Sequence, residues 1–380
     1  MKACVINFTQ AFLFGAALLR FLISVLVSSL MLGAAHADIL VGVAGPMSGQ
    51  YQIFGDQMVH GAQAAIDDIN ALGGISGQLL RIQIGDDACD VHKAEEVAHG
   101  FVAAGVSMVI GHYCSTPALA AAKIYEAAGV IMVVPQASLP SLADGAGWNV
   151  LRLASRDDVQ ADVAALRIGR ENPAANVAVL EDGSLAANNL SKRFLAHAAK
   201  PPALVQSFKP DAPDFFKLVL DVKAAKIDVV YFACNAGDAG RIAAALQGAG
   251  VLVKMFGPDQ LLVDEYWVKS AIAAEESRVT FTTDPQSSFA AKPVIAALKI
   301  AGFNADGATL PSYAALQLYA AAAVAHGTSA HAIADWLHSG AAINTVLGPL
   351  SFDTKGEVQP PRFVWYRWHQ GLYGAEPLGK

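Results

Sequence analysis

From residue 38 onward, short β-branched runs alternate with alanine-rich stretches of helical period, and no other feature constrains the fold as tightly. The runs at 38–44, 79–85, 107–111, 130–134, 176–181, 203–208, 227–233, 253–256 and 278–282 read as strands. Helical windows lie between them at about 55–72, 92–104, 117–128, 158–171, 187–199, 213–225, 237–249 and 262–273. The first window sets Met58, Ala62, Ala65, Ile66 and Ile69 on one face, and Gly73-Gly74 ends it as a C-cap would. Alternation of this length predicts α/β architecture, with parallel sheets covered by helices on both faces. One small sheet cannot hold so many units. They fall into two sets, one running to about Ser155 and one starting after Arg156-Asp157-Asp158, as a chain of 380 residues also suggests.

After residue 284 the pattern changes. Helices at about 289–301, 310–326 and 330–339 follow one another without strands. Two strand-like segments, Pro349–Phe352 and Arg362–Trp368, then flank Asp353–Gly356. This tail fits either set, or both.

Residues 1–37 read as a secretory signal. Lys2 and Arg20 are their only charges, Phe21–Leu32 forms an apolar core, and Ala35-His36-Ala37 gives a small-x-small cleavage pattern. The alternative is a membrane anchor, for which that core is short. Past residue 37 no apolar run reaches the roughly 18–20 residues that span a bilayer. No cysteine follows the cleavage pattern, so a lipid anchor is not indicated. Cleavage would leave 24 basic and 33 acidic residues, a net charge of −9. With no basic cluster on such a chain, nucleic acid is excluded as a partner.

Export changes how the cysteines read. Cys4 leaves with the signal, and Cys89, Cys114 and Cys234 permit one disulfide and one free thiol. Cys89 and Cys114 each follow a strand-like run. If those strands are parallel neighbours, both cysteines emerge at one edge; two free buried thiols are the alternative.

The search for catalytic chemistry finds little. Gly248-Ala249-Gly250 ends a helix instead of following a strand, and P-loop, G-x-S-x-G and H-E-x-x-H patterns are absent. His92 and His99, or His326, His331 and His338, lack metal-ligand spacing, so no metal is expected. Asp86, Asp87 and Asp90 lack the calcium-loop order and suit turns at a strand end. No enzyme and no cofactor is expected. The informative segment is Gly111-His112-Tyr113-Cys114-Ser115-Thr116-Pro117, a strand entering a helix with Ser115 or Thr116 as N-cap. Free N–H groups at such a start accept a carboxylate or phosphate. Val133-Val134-Pro135-Gln136-Ala137-Ser138 is the next strand end, and open α/β sheets bind ligands at such ends.

Further segments stand in order along the chain: Gly45-Pro46-Met47-Ser48-Gly49, Phe54-Gly55-Asp56-Gln57, Asp86-Asp87-Ala88-Cys89-Asp90, Met255-Phe256-Gly257-Pro258-Asp259, Tyr313-Ala314-Ala315-Leu316-Gln317 and Gly348-Pro349-Leu350. With the two strand ends, they make the sequence resemble the type I periplasmic solute-binding proteins of ABC importers, in the leucine/isoleucine/valine-binding branch. The resemblance implies two Rossmann-like lobes joined by a three-crossing hinge. One lobe would hold 38–156 plus 284–347, and the other 157–283 plus 348–380. It also implies a Cys89–Cys114 bridge and a monomer in the periplasm that hands its ligand to ABC permease subunits.

The ligand residues it implies are Ser115 and Ser138 for a carboxylate, helped by main-chain groups of Gln136. Phe54 would pack on the ligand, and Asp259 would face an α-ammonium. The second-lobe tyrosines of the family are missing here. Asn235 stands at one such position, Glu181–Ala186 holds no tyrosine, and Ala308 and Leu310 replace an aromatic segment. An aliphatic or branched-chain amino acid is therefore the first expectation. Aromatic or short-chain carboxylates and small amides are alternatives, as is a ligand-sensing role in place of transport.

Overall fold

The structure is a computed structural model and describes residues 37–145 and 147–376; the signal expected over 1–37 falls, but for Ala37, outside the described residues. Strands β1 (Ile39–Gly45), β2 (Leu80–Asp86), β3 (Met108–Gly111), β4 (Ile131–Val134) and β5 (Val150–Arg152) form a wholly parallel sheet in the order β2-β1-β3-β4-β5. Both faces of this sheet are covered, which is why the inner strands β1, β3 and β4 read as unbroken apolar runs, whereas the edge strand β2 alternates with polar residues. Val41, Val43, Ile110 and Val133 pack on one face against helices Gln52–Ala71 and Thr309–His326. Ala44, Val109, Met132 and Val134 pack on the other face with Phe101, Ala118 and Tyr125, from helices Val91–Ala104 and Ser115–Ala128.

The second sheet contains β6 (Val177–Glu181), β7 (Leu204–Ser207), β8 (Val229–Ala233), β9 (Lys254–Gly257) and β10 (Arg278–Thr282). These five run parallel, and β14 (Phe363–His369) and β15 (Leu372–Ala375) join antiparallel, giving the order β15-β14-β10-β9-β8-β6-β7. A small sheet of β11 (Ile343–Thr345), β12 (Gly348–Phe352) and β13 (Val358–Gln359) completes the fold.

The two strand-like tail segments part company. β12 and β13 stay with the first sheet, because Leu350, Phe352 and Val358 belong to its core. Arg152 anchors them there, its N–H donating to the Gly356 carbonyl at 2.8 Å and its guanidinium pairing with buried Glu357. β14 joins the second sheet, where Trp368 is fully buried and donates to the Leu261 carbonyl at 2.9 Å. The division expected at 347 therefore falls about a dozen residues early: the chain passes from the first core to the second after Gln359. Three passages lie side by side, since Arg362 N donates to Ser155 Oγ at 2.7 Å and Thr283 N donates to the Arg362 carbonyl at 2.9 Å.

Candidate functional site

The turn after β4, the passage after β5 and the turns after β6 and β9 converge on a cleft of about 590 Å³. Its first-lobe wall is Ser138, Leu139 and Pro140. Asp157, Asp158 and Gln160 form the floor, and Leu185, Ala186, Asn189, Leu190 and the turn Pro258–Gln260 supply the second-lobe wall. Leu185 opens the helix Leu185–His197 and is 78% exposed. The walls are thus largely aliphatic, while the charges sit on the floor and at one turn.

No lysine or arginine lines this cleft. Asp158 is neutralised by a two-pronged pair with Arg156 at 2.9 Å, whereas Asp157 and Asp259 form no ion pair among the described residues. Burial pushes the Asp259 carboxyl up from its ordinary pKa, and hydrogen bonds from Gln160 and the local main chain only partly offset it. Burial likewise raises Asp157 and the nearby Asp259 charge adds to that rise, while the Ser138 hydrogen bond and the Arg152 charge offset it only in part. Two acids without an ion-pair partner beside apolar walls favour a cationic group between them.

Ser138 lies between these acids and the first sheet. Its hydroxyl donates to Asp157 Oδ2 at 2.9 Å, so its proton is already engaged. Ser115 is placed differently: its Oγ only accepts, from Leu139 N at 3.5 Å, and its own O–H stays available. It is the first residue of helix Ser115–Ala128, whose N-cap is Cys114 and not Ser115 or Thr116 as expected. No side chain caps that helix, so the first-turn N–H groups of Ser115 and Thr116 are open to an anion.

The remaining candidates spread outward. Phe54 stacks on Tyr113 at 4.6 Å between ring centroids, at the same edge of the first sheet. Gln136 reaches across to the Gly307 carbonyl at 3.2 Å. Asn235 uses its side chain to cap helix Ala236–Gly248, accepting from Asp238 N at 2.9 Å and donating to Asp238 Oδ2 at 3.0 Å. Ala308 and Leu310 are buried in the first core and face no cleft. Ser138 and Asp259 alone among the expected residues line the cavity itself. The sequence offered a sign of Asp157 that was read only as a boundary: three consecutive charges between apolar runs in a chain with 16% charged residues.

The Cys89–Cys114 disulfide is present, with Cα atoms 5.5 Å apart, and Cys234 is free and buried. β2 and β3 are not neighbours, as the edge argument supposed; β1 runs between them, and the bond spans its end. Beneath it lies a closed network. Asp87 accepts from Cys89 N at 2.8 Å and pairs with His112 Nδ1 at 2.5 Å, while His112 Nε2 meets the Tyr125 hydroxyl at 3.3 Å. Asp87 and His112 are both 0% exposed, which makes this network a brace and not a reaction centre.

Comparison with known proteins agrees with this architecture. The sequence pattern of the periplasmic binding protein family matches residues 38–366. Leu/Ile/Val-binding protein homolog 1 of Brucella suis biovar 1 is 33% identical over 346 residues, covering 90% of this chain and 93% of the relative. An ABC transporter substrate-binding protein from Desulfitobacterium hafniense, solved in complex with Leu, superposes with a TM-score of 0.67 at 22% identity, over 89% of this chain and 100% of that one. A solute-binding protein of R. palustris in complex with 4-hydroxybenzoate gives 0.60 at 18% identity, over 90% and 96%. Among the described residues no helix is long and apolar enough to cross a membrane. With two parallel-sheet lobes, three passages and a cleft between them, the chain belongs to the periplasmic binding protein family, as a relative of the Leu/Ile/Val-binding proteins.

Proposed function

We propose that this protein is the solute-binding component of an ABC importer and that its ligand is an aliphatic, branched-chain amino acid. The observation that carries the ligand class is the pair of acids without an ion-pair partner, Asp157 and Asp259, between aliphatic walls. An α-amino acid needs donors at one end and an anion at the other. Ser115 and the open helix start serve the carboxylate; Asp259 and Asp157 serve the ammonium, with the Ser138 oxygen beside them. Leu139, Leu185 and Leu190 enclose an apolar side chain. Phe54, Gln136 and Asn235 frame the closed site. A carboxylate without an ammonium would meet two acids without compensation, which disfavours the aromatic and short-chain acids.

Ligand bridging both lobes favours the closed form by its differential affinity, and that form docks on permease subunits. The chain is exported to the periplasm by a cleaved signal, acts as a monomer, and performs no catalysis. Calorimetry with leucine and with 4-methylpentanoate, its analogue lacking the amine, tests the ligand assignment. Asp259→Ala is expected to weaken leucine by at least about 30-fold, the lower end of the cost of truncating a buried charged partner. Ser115→Ala is expected to weaken both compounds. Unchanged leucine affinity in Asp259→Ala, with a loss in Ser115→Ala, would mean a ligand without an ammonium group.

A further inference from the structure

Asp259 sits on a three-residue 3-10 turn after β9, a short element with little intrinsic rigidity. What holds it is a side chain from elsewhere. Gln160 is 2% exposed and stands at the start of helix Val159–Glu171, just after the first passage. Its Oε1 accepts twice, from Asp259 N at 3.0 Å and from Thr280 Oγ1 at 2.8 Å. The same side chain helps to hold the Asp259 pKa down against burial. Thr280 lies on β10, three residues before Thr283 in the second passage, and its hydroxyl is shared with the Gly257 carbonyl at 3.4 Å. One buried amide thus joins the first passage, the strand leading to the second, and the turn that carries the acid.

We propose that Gln160 is a positioning residue for ligand recognition: by holding the main chain of the Asp259 turn it sets that carboxyl in the cleft for the ligand ammonium and fixes the turn to two of the three hinge passages. This rests on the assignment of the ammonium to Asp259. A glutamine suits the task because its neutral amide oxygen accepts from the turn's N–H and the Thr280 hydroxyl at once without placing a charge beside Asp259. A carboxylate in its place would repel Asp259, and an apolar side chain would leave both the turn N–H and the Thr280 hydroxyl short of a partner. The groups that face Asp259 are Asp157 on the floor, Gln160 itself and the buried Tyr231 of β8, with the Arg156–Asp158 pair and Asp162 on neighbouring turns of the passage and its helix.

Leucine affinity measured by calorimetry across pH tests the proposal. Ammonium binding needs an ionised Asp259, so affinity falls as pH drops through its raised pKa. The Gln160 hydrogen bond lowers that pKa, so removing it moves the acid-side loss to higher pH. Gln160→Met is expected to weaken leucine at least about tenfold at neutral pH, the scale of one hydrogen bond to a charged group. It should also shift the acid limb upward. Gln160→Glu, which keeps the acceptor and size, is expected to shift the limb in the same direction and serves if Gln160→Met folds poorly. In the Asp259→Asn background, Gln160→Met should no longer move the limb, because the acid whose turn Gln160 holds no longer titrates. An unmoved limb in both single variants, or an equal shift with and without Asp259, overturns the positioning role. If Asp259→Asn itself leaves leucine affinity unchanged, the ammonium assignment fails instead.

Discussion

The two lobes secure their strand ends by opposite means. In the first, a covalent bond ties the turns after β2 and β3 across β1, over the sealed Asp87–His112–Tyr125 network. In the second, carboxylates do the tying. Asp182, after β6, accepts from Ser184 N at 3.0 Å and from Asn235 N, after β8, at 3.1 Å. Asp238 gathers the Asn235 amide and Asp211 N at 3.0 Å each. A disulfide fixes a strand end whatever the ligand state, whereas hydrogen-bonded turns can readjust. On the proposed assignment, the carboxylate end of the site would rest on a locked edge and the ammonium end on an adjustable one, ordered by Gln160.

The largest expected effect breaks the first lobe's brace. Asp87→Ala removes the partner of a buried histidine and an acceptor of the Cys89 N–H, and should cost roughly 3–5 kcal/mol in urea unfolding. A loss below about 1 kcal/mol would show that the network adds little to the disulfide above it. Next comes the bond itself. Replacing Cys89 and Cys114 with serine opens a loop of 25 residues, with an expected cost of about 3–3.5 kcal/mol in the chain-entropy account. Thermal unfolding should then become insensitive to reductant, whereas the wild type should lose stability when reduced.

The smallest effect sharpens the contrast from the other side. Asn235→Ala deletes a helix cap and should cost about 1 kcal/mol. If the side chain only caps, leucine affinity should stay within about twofold of wild type. A drop beyond tenfold would mean that Asn235 leaves Asp238 to reach the ligand when the lobes close.

Much of the fold was legible because strand–helix alternation is local and the inner parallel strands, buried on both faces, announce themselves as apolar runs; nine strands stand close to their expected positions. β5 escaped notice, being three residues long and entered through the turn at Trp148-Asn149. The tail was ambiguous for a different reason. Alternation says that Leu350 and Phe352 share a face, but not which sheet that face meets; the Arg152–Glu357 pair, 205 residues apart in sequence, decides it. Ser115, Ser138 and Asp259 could be picked out because the motifs around them are local. Gln160 could not, since its partners lie 99 and 120 residues away and nothing in Val159-Gln160-Ala161 distinguishes it from a helical surface residue.

Cys234 gives the molecule its own clock. In a chain beginning at Asp38 it is the one thiol outside the disulfide, 1% exposed in the second-lobe core, and burial holds its pKa high. A reagent that modifies thiolates will therefore register only those moments when that core opens. Labelling progress followed by mass spectrometry counts openings of one lobe while the other, its cysteines joined, stays silent.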